Sequence, residues 1–240
     1  MTFPTAEQVL AAIDATWPAA SVRRDGPWLI RDGQGGGKRV SAATPVGSVS
    51  ESDIATAEAA MRDLGQSPLF MIADGDEALD RWLDARGYVI VDPVVLYVGA
   101  VEELAAEPLP RVASFEIWPP LAIMEELWAA GGIGPARLAV MARAADPKTA
   151  ILGRTDDTPS GAAFVSAHEN IAMIHAIEVS SAIRRRGTGR NILRAASKWA
   201  QNQGISWLAL AVTEANAPAR ALYSSLGMRS VGHYHYRSEE

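Results

Sequence analysis

Ile177-Glu178-Val179-Ser180-Ser181-Ala182-Ile183-Arg184-Arg185-Arg186-Gly187-Thr188-Gly189-Arg190 is the stretch on which the reading of this chain turns. It closes an apolar run, 171–179, of the kind expected for a strand buried on both faces. It opens a segment, 189–203, in which Ile192, Leu193, Ala196, Trp199 and Ala200 form one stripe of an amphipathic helix. At the junction of strand and helix stand two glycines, Gly187 and Gly189, and four arginines, Arg184, Arg185, Arg186 and Arg190. Glycines let a backbone approach a ligand closely, and the free N–H groups of such a turn and first helical turn converge on an anion. Arginines add charge suited to phosphates. On these residues alone the segment is either a phosphate cradle or a plain strand-to-helix turn with solvated arginines.

Outward from this stretch the chain alternates strands and helices. A helix is expected over 5–16, and strands over 28–31 and 38–42 joined by Asp32-Gly33-Gln34-Gly35-Gly36-Gly37. That glycine cluster is followed by a strand, not a helix start, so a hairpin turn is expected there and not a phosphate loop. Helices at 51–64 and 76–86 flank a strand at 68–73. One or two strands at 88–98 break at Pro93, and 103–110 reads as a linker. Beyond it come strands at 112–118, 149–154, 161–168 and 207–213, with helices at 121–130, 135–144 and 217–226. A final strand pair ends near Arg237. Aligned on Gly87 and Gly227, residues 68–87 match 208–227 without a gap: Phe70-Met71-Ile72 falls on Leu210-Ala211-Val212, Asp76 on Asn216, and Trp82-Leu83 on Leu222-Tyr223. Both copies read strand, polar turn, helix, glycine, strand, which points to two related halves.

Composition narrows the function. The chain has 240 residues and a formal charge of −6, which argues against non-specific nucleic-acid binding. It has no cysteine, so disulfides, thiolate metal sites and a cysteine nucleophile are excluded. His233 and His235 lack carboxylate or thiol companions in sequence, and no metal is expected. The N-terminus shows no basic region followed by an apolar core, and the longest apolar stretch, 94–101, is too short to cross a bilayer. A cytoplasmic protein is expected, without membrane or nucleic-acid partners, as a monomer or homodimer.

Arg184, Gly187 and Gly189, with Val179 upstream, match the signature Arg/Gln-x-x-Gly-x-Gly/Ala of the GNAT superfamily of N-acetyltransferases. Asn216, Ala219, Leu222, Tyr223 and Gly227 match its second element, Asn-x-x-Ala-x-x-Leu-Tyr-x-x-x-Gly-Phe, with Met228 in place of Phe. The segment from about Arg111 onward thus resembles a GNAT domain, and Tyr234-His235-Tyr236-Arg237 resembles the ending of a bacterial GNAT subgroup. The resemblance implies an α/β fold in which a central mixed sheet is flanked by helices. Residues 106–240 would be the catalytic unit, and 1–105 a degenerate GNAT-like unit without the coenzyme loop. It implies acetyl-CoA as cosubstrate. The N–H groups of Arg185, Arg186, Gly187, Thr188, Gly189 and Arg190 would hold its pyrophosphate with Arg184 nearby, and the backbone of Ile177 and Val179 would pair with the pantetheine arm.

Acetyl transfer needs a neutral amine, a stabilised oxyanion and a proton for the departing thiolate. Tyr223 is the acid the resemblance implies, against the alternative of a core tyrosine. Glu178 is the candidate base, or else a charge paired with an arginine. Where relatives place a glutamate in the fifth strand, this chain has Ala211. His175 is either a substitute base or a core residue. Asn216 is an N-cap and a candidate contact to the coenzyme, while His175, Tyr234, His235 and Tyr236 are candidate acceptor contacts. In the N-terminal half the loop equivalent, 45–53, has no arginine and carries Glu51 and Asp53, and Leu83 stands where Tyr223 stands. The leading expectation is direct acetyl transfer to a primary amine of a small molecule, peptide or protein; the alternative is a non-catalytic acyl-CoA sensor.

Overall fold

The structure, a computed structural model, describes residues 2–239. Helix α1 (Ala6–Thr16) starts at Thr5, whose hydroxyl accepts from the Gln8 N–H while the Gln8 side chain accepts from the Thr5 N–H. Two orphan donors are satisfied reciprocally. Strands β1 (Ser21–Asp25), β2 (Trp28–Asp32) and β3 (Thr44–Pro45) form a small sheet. The tight hairpin of β2 is with β1, turned at Gly26, while the glycine cluster lies in the longer connection from β2 to its other antiparallel neighbour, β3, and not in a two-strand turn as its sequence suggests. Lys38–Val40 is a 3-10 turn instead of a strand. The reason is packing: a Cβ on Gly36 would lie 2.7 Å from Val140 and 2.9 Å from Val40. Gly36 is glycine because it presses against a helix of the other half, while Gly35 and Gly37 take left-handed φ of +76° and +100°.

The chain continues through α2 (Ile54–Asp63), β4 (Leu69–Ala73), α3 (Glu77–Ala85), β5 (Val89–Ala100), α4 (Val101–Ala105), β6 (Ser114–Ile117), α5 (Ala122–Ala130) and α6 (Pro135–Arg143). Then follow β7 (Lys148–Thr155), β8 (Thr158–His168), β9 (Ile171–Val179), α7 (Thr188–Asn202), β10 (Trp207–Thr213), α8 (Ala217–Ser225) and β11 (Arg229–Ser238). β5 is one strand, not two. Pro93 sits beside Asp92 (φ +46°), where the register with β11 slips and the ladder needs no N–H. β11 is likewise a single strand with two irregularities in place of the expected pair.

Eight strands form one mixed sheet in the order β4-β11-β5-β10-β9-β8-β7-β6. The two repeats, β4-α3-β5 and β10-α8-β11, exchange their last strands. β5 pairs antiparallel with β10, β11 pairs antiparallel with β4, and β5 and β11 lie side by side. The register carries the symmetry: under the alignment of Gly87 with Gly227, the pair Ala73–Tyr234 is the copy of Thr213–Val94. One face of the sheet is covered by α4, α7 and α8. There Ile192, Leu193, Trp199 and Tyr223 pack on Val95, Ile174 and Leu210. Each large side chain so buried contributes about 1.5–3 kcal/mol. The other face carries α1, α5 and α6, with Val9, Ile13, Met124 and Val140 over Leu96, Met173 and Phe164.

β9 and β10 are parallel neighbours only from Trp207↔Ile171 to Ala209↔Met173. Past that point β9 bulges. Ala176 takes φ +50°, Phe164 faces His175, and Ala162 faces Glu178, so β9 carries one extra residue. Only the first five residues of β9 are buried; the last four are half-exposed because their neighbour has left.

Candidate active site

The parting of β9 and β10 opens a cleft through the sheet. On the α7 face its floor is the loop between Val179 and Thr188. Arg185 (φ +64°) and Gly187 (φ +90°) both adopt the left-handed conformation, which turns the chain abruptly into α7. The first backbone bond of the helix runs from the Asn191 N–H to the Gly187 carbonyl. Among the described residues, no backbone acceptor faces the N–H groups of residues 184–190. Four such donors are inherent to any helix start, and the loop adds more. The space at the Gly187 Cβ position is open, whereas a Cβ on Gly189 would meet Leu222 at 3.2 Å. Gly187 leaves room for a ligand, and Gly189 lets α7 and α8 approach.

The surrounding side chains divide in role. Thr188 turns inward, its hydroxyl 2.7 Å from that of Thr155 and 3.2 Å from that of Ser160, so it can offer a ligand only its N–H. Arg186 is paired with Asp156, and Arg190 donates to the Ser225 hydroxyl at 3.4 Å. Arg184 donates to the Val179 carbonyl and lies 3.8 Å from Glu178. Arg185 is exposed. Ile177 and Val179 edge the cleft and pack on the cluster that holds Tyr223. Asn216 caps α8 by accepting from the Ala219 N–H at 3.2 Å.

Tyr223 is buried beside Tyr97, ring centroids 5.8 Å apart. No hydrogen-bond partner faces its hydroxyl among the described residues, and burial pushes its pKa up to about 12. The Glu178 carboxylate lies over Gly131, in the space a side chain there would fill.

On the opposite face Ala176 and Thr213, from the two sides of the cleft, line a cavity of about 260 Å³. Tyr234 and Tyr236 reach it from β11, and Arg39 reaches it from the 3-10 turn that follows the glycine cluster. His175 stands behind Arg39. Its Nδ1 accepts from the Arg39 guanidinium at 3.3 Å and its Nε2 faces the Thr16 hydroxyl at 2.8 Å. That hydroxyl donates onward to the Ala12 carbonyl, so the imidazole must be the Nε2–H tautomer. Burial, then Arg39, holds the His175 pKa well below its usual value, so it is neutral. His235 points to the other side of β11, 2.9 Å from Asp80, which Arg237 also contacts at 2.7 Å. The structure thus brings Tyr234 and Tyr236 together at the cleft and sets His235 apart from them. Among the described residues no group of three His, Asp or Glu is placed to hold a metal ion, and no helix is long and apolar enough to cross a membrane.

Residues 113–228 match the profile of the acetyltransferase (GNAT) family. This segment is a GNAT acetyltransferase domain, and the protein is an acyltransferase. Among curated proteins, the chain is 24% identical over 232 residues to the uncharacterized N-acetyltransferase YobR of Bacillus subtilis (strain 168), covering 93% of this chain and 94% of that one. Among solved structures, a GCN5-related N-acetyltransferase from Kribbella flavida shares the fold with a TM-score of 0.72 and 18% identity, over 99% of this chain and 96% of that one. A tandem GNAT protein from the clavulanic acid biosynthesis pathway shares it with a TM-score of 0.63 and 13% identity, over 95% of this chain and 86% of its own. The matched segment stops short of β11 and begins after β4 and β5. Three residues that the sequence left unremarked, Arg39, Asp92 and Arg137, line the cavity at its cleft. The available signal was a glycine cluster leading into Lys38-Arg39, which its spacing alone made look like a hairpin.

Proposed function

We propose that the protein moves an acetyl group from acetyl-CoA directly to a primary amine bound in the same complex. The observation that carries this reading is one cleft with two differently equipped mouths. Unsatisfied N–H groups and arginines stand on the α7 face, and a largely polar, open cavity on the other. The residues fit the coenzyme. Gly187 leaves open space before donors that need an acceptor, Arg184, Arg185 and Arg190 supply positive charge, and the edges of Ile177 and Val179 are free of a neighbouring strand. Bound there, acetyl-CoA supplies an activated acyl carbon.

The chain's own groups would handle the protons. As the amine nitrogen bonds to the acyl carbon and the C–S bond breaks, the nitrogen gives up a proton and the leaving sulfur gains one. Glu178, at the mouth of the cleft, takes the first directly or through water. Tyr223, protonated at any physiological pH, gives the second. Asn216 fixes the start of α8 and hence the place of Tyr223.

The N-terminal half, residues 1–105, is read as a degenerate GNAT-like unit joined to a catalytic unit over 106–240. Its counterpart helix start is already filled. Asp53 accepts from the Ser50 N–H at 2.8 Å and from its hydroxyl, which holds the carboxyl below its usual pKa. A pyrophosphate would meet that charge.

Release of free CoA, followed over a panel of amines, tests the proposal. Wild type should release CoA only when acetyl-CoA and an acceptor are both present. Glu178→Gln should bind acetyl-CoA normally and lose most rate at low pH, where an ammonium acceptor most needs a base. A chain that only senses acyl-CoA would bind it and release nothing with any amine.

A further inference from the structure

Two of the four buried side-chain polar atoms that lack a hydrogen-bond partner among the described residues, Arg39 Nε and the Tyr234 hydroxyl, belong to the walls of the cleft cavity. Tyr234 is only 3% exposed. Arg39 Nε can only donate and the Tyr234 hydroxyl can donate as well as accept, so an acceptor in the cavity would serve both. The charges around them agree. Lys38 is spoken for, 2.9 Å from Asp92. Among the described residues Arg39 meets the neutral His175 and the phenols of Tyr234 and Tyr236, and no carboxylate. Arg137 lies over Gly37, 3.5 Å from where a Cβ there would be, and among the described residues it has no carboxylate partner. Two guanidinium groups, of which Arg137 is exposed, therefore border the cavity without a carboxylate of their own, its one carboxylate, Asp92, being paired with Lys38; for the less exposed Arg39 an unpaired charge is costly. The remaining wall is apolar, from Trp17, Val94 and Ile133.

We infer that the acceptor is a small amine that also carries a carboxylate, held by Arg39 and Arg137 with the Tyr234 hydroxyl. A carboxylate accepts from all of these donors and can meet an arginine fork with both oxygens. The amine end then points past Ala176 and Thr213 toward the acyl carbon. The inference rests on the proposed acetyl transfer. The bonds exchanged are those given above: the carboxylated amine gains the acetyl group, CoA leaves as the thiol, and the carboxylate takes no part. Arg39, which comes from the N-terminal half, is the specificity-determining residue, and His175 and Thr16 position it.

The test uses matched pairs that differ only at the carboxylate: L-leucine and L-leucinamide, L-phenylalanine and L-phenylalaninamide, 4-aminobutyrate and 4-aminobutanamide. The first two pairs separate from the third an α-amino acid from one with a longer reach. An α-amino amide has the less basic nitrogen, so a preference for the acid cannot come from amine availability. At least one acid should exceed its amide by at least ten-fold in kcat/KM. Arg39→Gln and the exposed-site variant Arg137→Gln should each shrink that ratio at least ten-fold. Equal use of acid and amide in every pair, or a ratio that survives both substitutions, overturns the inference while leaving acetyl transfer intact. Absence of CoA release with every amine, acid or amide, counts against the transfer reading. Thermal shift then decides the anion site by itself: the acids should raise the melting temperature of wild type but not of Arg39→Gln. No shift with any of the acids overturns it.

Discussion

Replacing Tyr223 by phenylalanine separates chemistry from structure more cleanly than any other single change here. The ring stays, and with it the contact to Tyr97 and the packing against the α7 cluster. The hydroxyl has no partner to lose among the described residues. A buried hydroxyl without a hydrogen bond costs a fold about 1–3 kcal/mol relative to an apolar group. Tyr223→Phe should therefore be neutral or up to about 1 kcal/mol more stable in urea denaturation, since this hydroxyl retains some access to the cleft. Affinity for acetyl-CoA by calorimetry should change less than two-fold. Turnover should fall about 10- to 1000-fold, because one general acid is gone. With a pKa of about 12, the phenol stays protonated to well above pH 10. The wild-type rate should therefore show no alkaline decline from this group below that pH. Full activity in Tyr223→Phe on a confirmed acceptor would refute the acid assignment. A loss of more than 1 kcal/mol in stability would show that the hydroxyl does structural work.

Gly187→Glu should weaken acetyl-CoA binding at least 100-fold by calorimetry. Its melting temperature should drop only a few degrees, since the Cβ enters open space and the left-handed backbone costs about 1–2 kcal/mol. Titration of wild type with acetyl-CoA should give one site per chain; two sites would mean that the start of α2 also binds coenzyme. His175 predicts a pH effect. Its folded pKa lies well below 6.5, so under acid conditions the unfolded chain takes up a proton that the folded one does not. That part of the stability is present above pH 6.5 and fades as pH falls. Between pH 7.5 and 5.5 wild type should lose more stability than His175→Asn, by on the order of 1 kcal/mol, read from denaturant midpoints.

Sequence sufficed where physical constraint is local. The strand 171–179, the amphipathic helix after Gly187 and the strand-helix pair around Asn216 came out within a residue or two, because each has its own periodicity and its own start signal. The glycine cluster misled in part because the reason for Gly36 is Val140, about a hundred residues away. Pro93 looked like a break, but a bulge at Asp92 absorbs it. The repeat was visible as a pattern, yet nothing in a pattern says which copy's strand pairs with which. The same limit hid Arg39: a charged residue after glycines looks solvated until the other half of the molecule closes over it.

On the proposed two-unit reading, the traded strands tie the two repeats into one eight-stranded sheet that cannot come apart as a dimer of separate chains can. Partners joined by one backbone meet at an effective concentration no dilution can lower, so assembly is settled at synthesis and not by abundance. A fragment starting at residue 106 would carry β11 and β10 with nothing between them, presenting two bare edges of the kind that aggregate. Symmetry changes meaning as well. In a homodimer every substitution appears on both sides of the axis at once, so neither site can be abandoned without the other. Here a change falls on one side only. On the proposed division into two units, a carboxylate at the start of α2 and a bare glycine at the start of α7 would be the marks of that freedom, with Arg39 reaching the cleft cavity from the other unit.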